Sequence, residues 1–229
     1  MSVMPHSTVY RVCRIARAVP VIKAIKERFD IPVSIDTYKY DVALSAFDAG
    51  ADMLNDIWGL KKDERLAEIV AAKDRQVCIT HNREKVGEDT GNELIDNVAS
   101  ELSECVGKAL KAGVLKENIL LDPGIGFGKN YMQNLYLIGH IDELIQKTED
   151  NIRKTYPDKT ESGGYYPFMM AASRKGGMGL TLDLDVEDRD DATIAISVYS
   201  VMKGCRGVRV HDVFGNSSAL GMLEALNTH

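Results

Sequence analysis

The most specific chemical signal in this chain of 229 residues is a glycine-rich segment after a short apolar run. An aspartate ends the run, and a proline and three spaced glycines follow it in Asp122-Pro-Gly-Ile-Gly-Phe-Gly-Lys129. Glycines let backbone approach a flat ligand or an anion, because no Cβ stands in the way. The spacing is not that of a P-loop. We therefore predict a ligand-binding turn, in which Phe127 is either a flat apolar wall or an ordinary core residue.

Two motifs in the second half of the chain carry positive charge, Ser173-Arg-Lys175 and Arg209-Val-His211. Residues two apart on a strand point to the same side, so each motif presents a pair of side chains together. Cations and an imidazole gathered in an acidic protein favour a bound phosphate or a doubly charged leaving group, because arginine offers a fork of donors and lysine a point charge. Solvent-exposed salt bridges are the alternative for Arg174 and Arg209.

Asp36, Asn55 and Asp122 form a second, oxygen-rich group of side chains. Carboxylates accept paired hydrogen bonds and an amide can both donate and accept, so this group suits a heterocycle whose edge carries several N–H groups. A glycosidase or metal-binding carboxylate pair is an alternative. Glycosidase chemistry would leave the cationic motifs unexplained. His81 either bonds to substrate or simply ends its strand.

The elements that must position these residues alternate regularly. Apolar runs predict strands at 31–36, 52–57, 76–80, 118–122, 168–172 and 207–211, and amphipathic patterns predict helices at 12–28, 41–49, 64–72, 93–112, 133–147, 191–202 and 217–226. Alternation of this kind favours a parallel sheet of βαβ units, either doubly wound or closed into a (β/α)₈ barrel. Polar residues at the ends of all six strands favour the TIM barrel.

A complete TIM barrel has eight strands, and only six are predicted here. We therefore expect a barrel whose first two strands are missing, in a single domain that spans residues 1–229. The charged stretch 148–166 is longer than the connections that usually precede a strand. We predict that it is a long inserted loop, either a surface loop or a lid.

Charge and cysteine content exclude several classes of protein. Lysine and arginine number 28 against 34 acidic residues, for a net charge of -6, which argues against nucleic acid and membrane surfaces as partners. The cysteines, Cys13, Cys78, Cys105 and Cys205, form no C-x-x-C pair and predict buried reduced thiols. The first twenty residues lack an apolar segment of the kind found in signal peptides, so a cytoplasmic protein is expected.

Six motifs together resemble, in order and spacing, those of the bacterial dihydropteroate synthase family: Val33–Lys39, Asn55-Asp56, Thr80–Arg83, Asp122–Lys129, Ser173–Lys175 and Arg209–Val213. The resemblance implies a homodimeric TIM-barrel transferase of folate biosynthesis and a target of sulfonamides. Such enzymes join p-aminobenzoate to 6-hydroxymethyl-7,8-dihydropterin diphosphate and release diphosphate with the help of Mg²⁺. Two of the family's amino-terminal loops have no counterpart here, and Ala171 replaces a glycine.

The resemblance also implies a role for each matching residue. Pterin contacts would come from Asp36, Asn55, Asp122 and Lys175, and p-aminobenzoate would lie beside Phe127, Ser173 and Lys175. Arg209 and His211 would hold the diphosphate. The catalytic residues would be Lys175, Arg209 and His211, acting by electrostatic stabilisation and positioning without a covalent enzyme intermediate. No metal ligand is assigned.

Three other functions fit parts of the pattern. A pterin-binding homologue without turnover would keep the pocket alone. A pterin-dependent methyltransferase of similar fold would not need the anion site at Arg209 and His211. A Schiff-base aldolase would use Lys175 as its nucleophile, but it would leave Arg174 and the Asp-Pro-Gly turn without a role.

Overall fold

The computed structural model describes residues 6–157 and 166–228. Strands occur at all six predicted places, and a helix follows each strand. The helices of this part of the chain are α1 His6–Arg28, α2 Tyr40–Asp48, α3 Arg65–Ala72, α4 Gly91–Lys111, α5 Tyr131–Gly139, α6 Ile141–Thr155, α7 Gly176–Leu182, α8 Asp190–Met202 and α9 Val213–Asn227. Its strands are β1 Ser34–Asp36, β2 Met53–Asp56, β3 Gln76–Thr80, β4 Ile119–Asp122, β5 Met169–Met170 and β6 Gly207–Val208.

The structure corrects the predicted elements in the second half of the chain. The helix expected at 133–147 is two helices, α5 and α6, and α6 continues to Thr155. Residues 148–155 are therefore helical rather than part of an inserted loop, whereas 158–165 lie outside the described residues. A short helix, α7, follows Lys175 where a loop was expected. Strand β6 ends at Val208, so Arg209 and His211 follow the strand instead of lying on it.

The chain divides into two compact units, of which the first contains residues 6–79 and 105–119. Its strands β1, β2 and β3 are parallel neighbours, with Ser34 opposite Met53 and Met53 opposite Gln76. Leu54 and Val77 are fully buried at the centre of these strands. Parallel pairing brings the carboxyl ends of β1 and β2 side by side and thereby places Asp36 opposite Asn55.

The second unit contains residues 80–104 and 120–228. Strands β5 and β6 pair in parallel, and Leu121 of β4 forms a parallel bridge with Phe168. On the other side of β4, the backbone N–H of His81 donates to the carbonyl of Asp122 over 2.9 Å. The carboxyl ends of these strands therefore meet within the unit, where Asp122 and the segments beginning at Ser173 and Arg209 emerge.

Local capping explains where the helices around this edge begin. Asn130 and Gln133 form a capping box at the start of α5: the Asn130 side chain accepts from Gln133 N–H at 2.9 Å, and the Gln133 side chain accepts from Asn130 N–H at 2.8 Å. Asp212 caps α9 by accepting the N–H of Gly215 at 3.1 Å. These caps fix the ends of the turns that carry the chemical groups.

All four cysteines are free thiols, as predicted, but Cys13 is exposed, whereas the other three are buried. None of the helices within the described residues is both long enough and apolar enough to span a membrane.

Candidate active site

Asp122, at the end of β4, is the most deeply buried acidic group among the predicted site residues, with 4% of its surface exposed. The N–H of Gly124 donates to its Oδ1 at 2.7 Å, and the Thr80 hydroxyl lies 3.5 Å from its Oδ2. Burial raises the pKa of Asp122 to about 6, although the Gly124 N–H and the charges of Lys129 and other nearby cations oppose that rise. The carboxylate is therefore available to bind donors above that pH.

The turn after Asp122 needs glycine, as the sequence predicts. Gly124 has a φ of 69°, and a Cβ there would collide with the backbone carbonyl of His81. A Cβ on Gly128 would likewise collide with the backbone of Arg83. The turn therefore packs directly on the segment that follows β3. Inside it, the buried ammonium of Lys129 donates to the carbonyls of Gly124 at 2.9 Å and Phe127 at 3.0 Å.

The structure brings Lys175 and Phe127 together, as expected. The Lys175 ammonium lies 4.4 Å from the centre of the Phe127 ring, within the range of a cation–π contact. A Cβ on Gly126 would lie only 3.1 Å from Cδ of Lys175, so this glycine lets the lysine stem approach the turn. The charge of Lys175 also acts on Asp122 and offsets part of the rise that burial causes in its pKa.

Ser173 and His211 also lie together. The Ser173 hydroxyl and Nδ1 of His211 are 2.8 Å apart, and the backbone N–H of His211 donates to the same hydroxyl oxygen at 3.1 Å. The serine is buried and the histidine is exposed. When the serine hydroxyl donates to Nδ1 of a neutral imidazole, the ring proton lies on Nε2, and that atom can donate to an anion.

Arg209 and Arg174 have different surroundings. Arg209 is exposed, and its backbone N–H donates to the carbonyl of Met170 at 3.0 Å. The positive charge of its guanidinium offsets part of the rise that burial causes in the pKa of Asp122. Arg174 instead forms a two-point ion pair with Asp190, at 2.8 and 2.6 Å, and has a left-handed φ of 54°. The expectation that Arg174 joins the cationic group is therefore wrong, and its alternative role in a salt bridge is confirmed.

In the first unit, the structure brings Asp36 and Asn55 together. The side-chain amide of Asn55 donates to Oδ2 of Asp36 at 3.0 Å, and the asparagine is buried while the aspartate is exposed. The neighbouring Asp56, which sequence reasoning did not single out, is fully buried and accepts the N–H groups of Trp58 at 2.9 Å and Leu60 at 2.7 Å. Burial raises the pKa of Asp56. Asp56 therefore fastens the loop after β2.

His81 is 1% exposed, and its Nε2 lies 3.2 Å from Oε2 of Glu101. Burial lowers the pKa of His81 to about 4, so the imidazole is neutral at pH 7. Burial alone would raise the pKa of Glu101, but its contacts with His81 and Arg83 outweigh that effect and lower it to about 2. Of the two readings of His81, the structure supports a packed group that ends its strand.

Sequence reasoning missed the polar network beneath the turn. Arg83 donates to Glu101 at 2.8 Å and to both carboxylate oxygens of Asp89 at 2.9 Å, while the Gln133 side chain donates to the carbonyl of Asp89 at 2.9 Å. Arg83 was present in the motifs, but nothing local in the sequence indicates its partners.

Comparison with known proteins places these residues in a family context. The profile of the family described as "Pterin binding enzyme" matches residues 5–211. A dihydropteroate synthase of Clostridium beijerinckii is 45% identical over 93% of this chain and 72% of its own length. The solved dihydropteroate synthase of Clostridium difficile, in the presence of pteroic acid, is 36% identical with a TM-score of 0.80, over 93% of this chain and 73% of that one. The Coxiella burnetii enzyme, also with pteroic acid, is 31% identical with a TM-score of 0.82, over 94% and 76%.

Proposed function

The chain belongs to the dihydropteroate synthase family of pterin-binding enzymes, and from that premise we propose how its residues divide the work of the reaction. The reaction is a transfer in folate biosynthesis. The amine of p-aminobenzoate displaces diphosphate from 6-hydroxymethyl-7,8-dihydropterin diphosphate, so that a C–N bond forms and a C–O bond breaks. The fold is the α/β TIM barrel of this family, in which ligands bind at the carboxyl ends of the strands.

Our assignment of the pterin site rests on one observation, the burial of the Asp122 carboxylate beside the glycine-rich turn. A buried carboxylate beside a glycine-rich turn can accept paired N–H groups from the edge of a flat heterocycle, and low local polarity strengthens those bonds. Lys175 lies against the same turn and supplies a further donor. We also assign Asp36 and Asn55 to the pterin, since their mutual hydrogen bond fixes both side chains.

Arg209 and His211 are assigned to the departing diphosphate. The guanidinium and Nε2 of the imidazole can donate to phosphate oxygens, and Ser173 holds the imidazole from its Nδ1 side. Negative charge grows on the leaving diphosphate in the transition state. Donors already fixed in place stabilise that charge without reorganising during the step.

The arylamine is assigned to the surface formed by Phe127, Ser173 and Lys175. The Phe127 ring offers an apolar face, and the Lys175 ammonium can attract the substrate carboxylate. The amine of p-aminobenzoate is neutral and already nucleophilic, so positioning it for in-line attack is the main requirement. No residue needs to form a covalent intermediate, and Lys175 acts as a charge, not as the nucleophile of an aldolase.

We include Mg²⁺ as a cofactor of the proposed reaction only because the chain belongs to this family. The described residues contain no group of three or more His, Cys, Asp or Glu side chains that could hold a metal ion. We therefore assign the ion no protein ligand, and no step above passes through it.

A homodimer is also proposed. Support comes from large apolar side chains that are exposed on α8 and α9, among them Met202 at 69%, Phe214 at 83% and Met222 at 63%. Patches of this kind mark interaction sites in soluble proteins. Light scattering on the purified chain tests this directly, and a monomer at all concentrations would contradict it.

The proposed function is tested by measuring product and ligand binding together. The purified chain should form 7,8-dihydropteroate and diphosphate from the two substrates, an outcome that a homologue without turnover would not give. Methyl transfer from methyltetrahydrofolate in place of this product would instead support a pterin-dependent methyltransferase. In calorimetry, Asp122→Asn and Lys175→Ala should each remove pterin binding, while Asp96→Asn, at an exposed ion pair on α4, should not. Unchanged pterin affinity in both site variants would overturn the assignment.

A further inference from the structure

Lys129 is a buried charged residue to which the proposed reaction gives no task. Only 7% of its surface is exposed. Its ammonium donates to the carbonyl of Gly124 at 2.9 Å and to that of Phe127 at 3.0 Å. One charged group thus ties together two points of the turn, and hydrogen bonds from a charged donor are stronger than those between neutral groups.

Both points lead to groups that the reaction uses. Gly124, whose carbonyl Lys129 holds, donates its own N–H to Oδ1 of Asp122 at 2.7 Å. Phe127, the second anchor, carries the ring against which Lys175 lies. A change at Lys129 would therefore alter the positions of both Asp122, which is assigned to the pterin, and Phe127, which is assigned to the arylamine.

Lys129 also acts on Asp122 through its charge. Asp122 faces Lys129 on its own turn, Lys175 after β5, Arg209 after β6 and the thiol of Cys205 ahead of β6. The Cys205 thiol stays neutral, since burial and the charge of Asp122 raise its pKa to about 12. Of the three cations, Lys129 is the most buried, so water screens its attraction for the carboxylate least.

The group that faces Lys129 from the end of β3 is His81. Burial, together with the charge of Lys129, lowers the pKa of His81 to about 4, and this imidazole therefore adds no charge at neutral pH. The pKa of Asp122 is therefore set by burial, which raises it, and by the three cations, which lower it; Lys129 is the most buried of these cations.

We propose that Lys129 is a positioning residue of this reaction: its buried ammonium fixes the turn that presents Asp122 and Phe127, and it places a positive charge where it attracts the Asp122 carboxylate. This inference rests on the proposed function, in which Asp122 binds the pterin.

The test compares Lys129→Gln with Lys147→Gln, the same substitution at a half-exposed lysine that pairs with Asp96 at 2.7 Å on the surface. Affinity for 6-hydroxymethylpterin is measured by calorimetry from pH 5 to pH 9. Lys129→Gln should move the acidic limb of the profile to higher pH by about one unit, which weakens binding up to ~10-fold on that limb. Lys147→Gln should leave the profile unchanged, and Lys129→Arg should restore it at least in part. A purely structural role would lower affinity at every pH without moving the limb.

Two further measurements make each outcome decisive. Asp122→Asn is titrated in parallel. If it binds pterin like the unaltered chain, the proposed function fails. If it loses binding while Lys129→Gln keeps the acidic limb of the unaltered chain, only the inference about Lys129 fails. If Lys129→Gln does not fold, ¹⁵N NMR of the unaltered chain decides. A buried ammonium that donates to two carbonyls should exchange its protons far more slowly than that of Lys147, and equal exchange rates would overturn the proposal.

Discussion

Asp122 lies at a strand end of the second unit, and Arg209 and His211 follow another strand of that unit. The two sites differ in how far their side chains are exposed to solvent. Asp122 is 4% exposed and bonded to its own turn, whereas both Arg209 and His211 are exposed. A buried carboxylate suits a neutral heterocycle that must bind in one orientation. An exposed guanidinium and an exposed imidazole suit a highly hydrated anion that must also leave after the reaction. The contrast implies that ligand affinity depends on pH at Asp122 and on salt concentration at Arg209 and His211.

The largest expected effect is at the exposed site. Arg209→Met should lower kcat by ~10²-fold, because one fixed donor to the leaving group is lost in the transition state. Above pH 7 it should leave the affinity for 6-hydroxymethylpterin within about twofold, because Asp122 stays ionised there even without the attraction of the arginine. Steady-state kinetics and calorimetry measure the two effects. Arg206→Met, at another exposed arginine ahead of β6, is the control, and an equal loss there would remove the distinction.

A smaller effect is expected from a change at the buried site that spares its charges. Gly124→Ala places a Cβ against the carbonyl of His81 at a φ of 69° and must shift the turn. A displacement of this kind costs up to ~10²-fold in the worst cases, and we expect a loss of ~10-fold in pterin affinity with diphosphate affinity preserved. Gly139→Ala, with no atom within 4 Å of the new Cβ, is the matched control. Equal losses for both ligands would show that the two sites are not independent.

The smallest effect concerns salt. Raising the ionic strength from about 0.01 to about 1 M shortens the screening length from about 30 to about 3 Å. Pyrophosphate binding at the exposed site of Arg209 and His211 should weaken several-fold. Binding of 6-hydroxymethylpterin at Asp122 should change by less than about twofold, because buried groups are screened much less. Isothermal titration of both ligands over one salt series measures the difference. If the two affinities fell equally with salt concentration, the two sites would not differ in exposure as described.

Much of this arrangement could be predicted from sequence because its signals are local. The apolar runs located all six strands, and the turn from Asp122 to Lys129 carries its requirement for glycine in its own residues. Strand-end positions also explain why Ser173 and His211 were expected near each other, although His211 follows its strand.

What the sequence concealed depends on long-range partners. The extension of α6 has the charged composition of a loop, but Thr148, Glu149 and Ile152 form a buried stripe on the helix, and Glu149 accepts the N–H of Tyr166 at 3.2 Å. Arg174 is adjacent to two site residues and is nevertheless taken up by Asp190, sixteen positions away. Neither partnership leaves a local pattern in the chain.

The pH dependence of pterin affinity tests the central claim most directly. Burial raises the pKa of Asp122 to about 6, and the pterin needs the ionised carboxylate as an acceptor. Affinity for 6-hydroxymethylpterin should therefore be full above pH 7 and fall about tenfold per pH unit below pH 6, while Asp122→Asn should show no measurable binding at any pH and therefore no such limb. A flat profile in the unaltered chain, or the same limb in Asp122→Asn, would contradict the assignment of Asp122 as the pterin carboxylate.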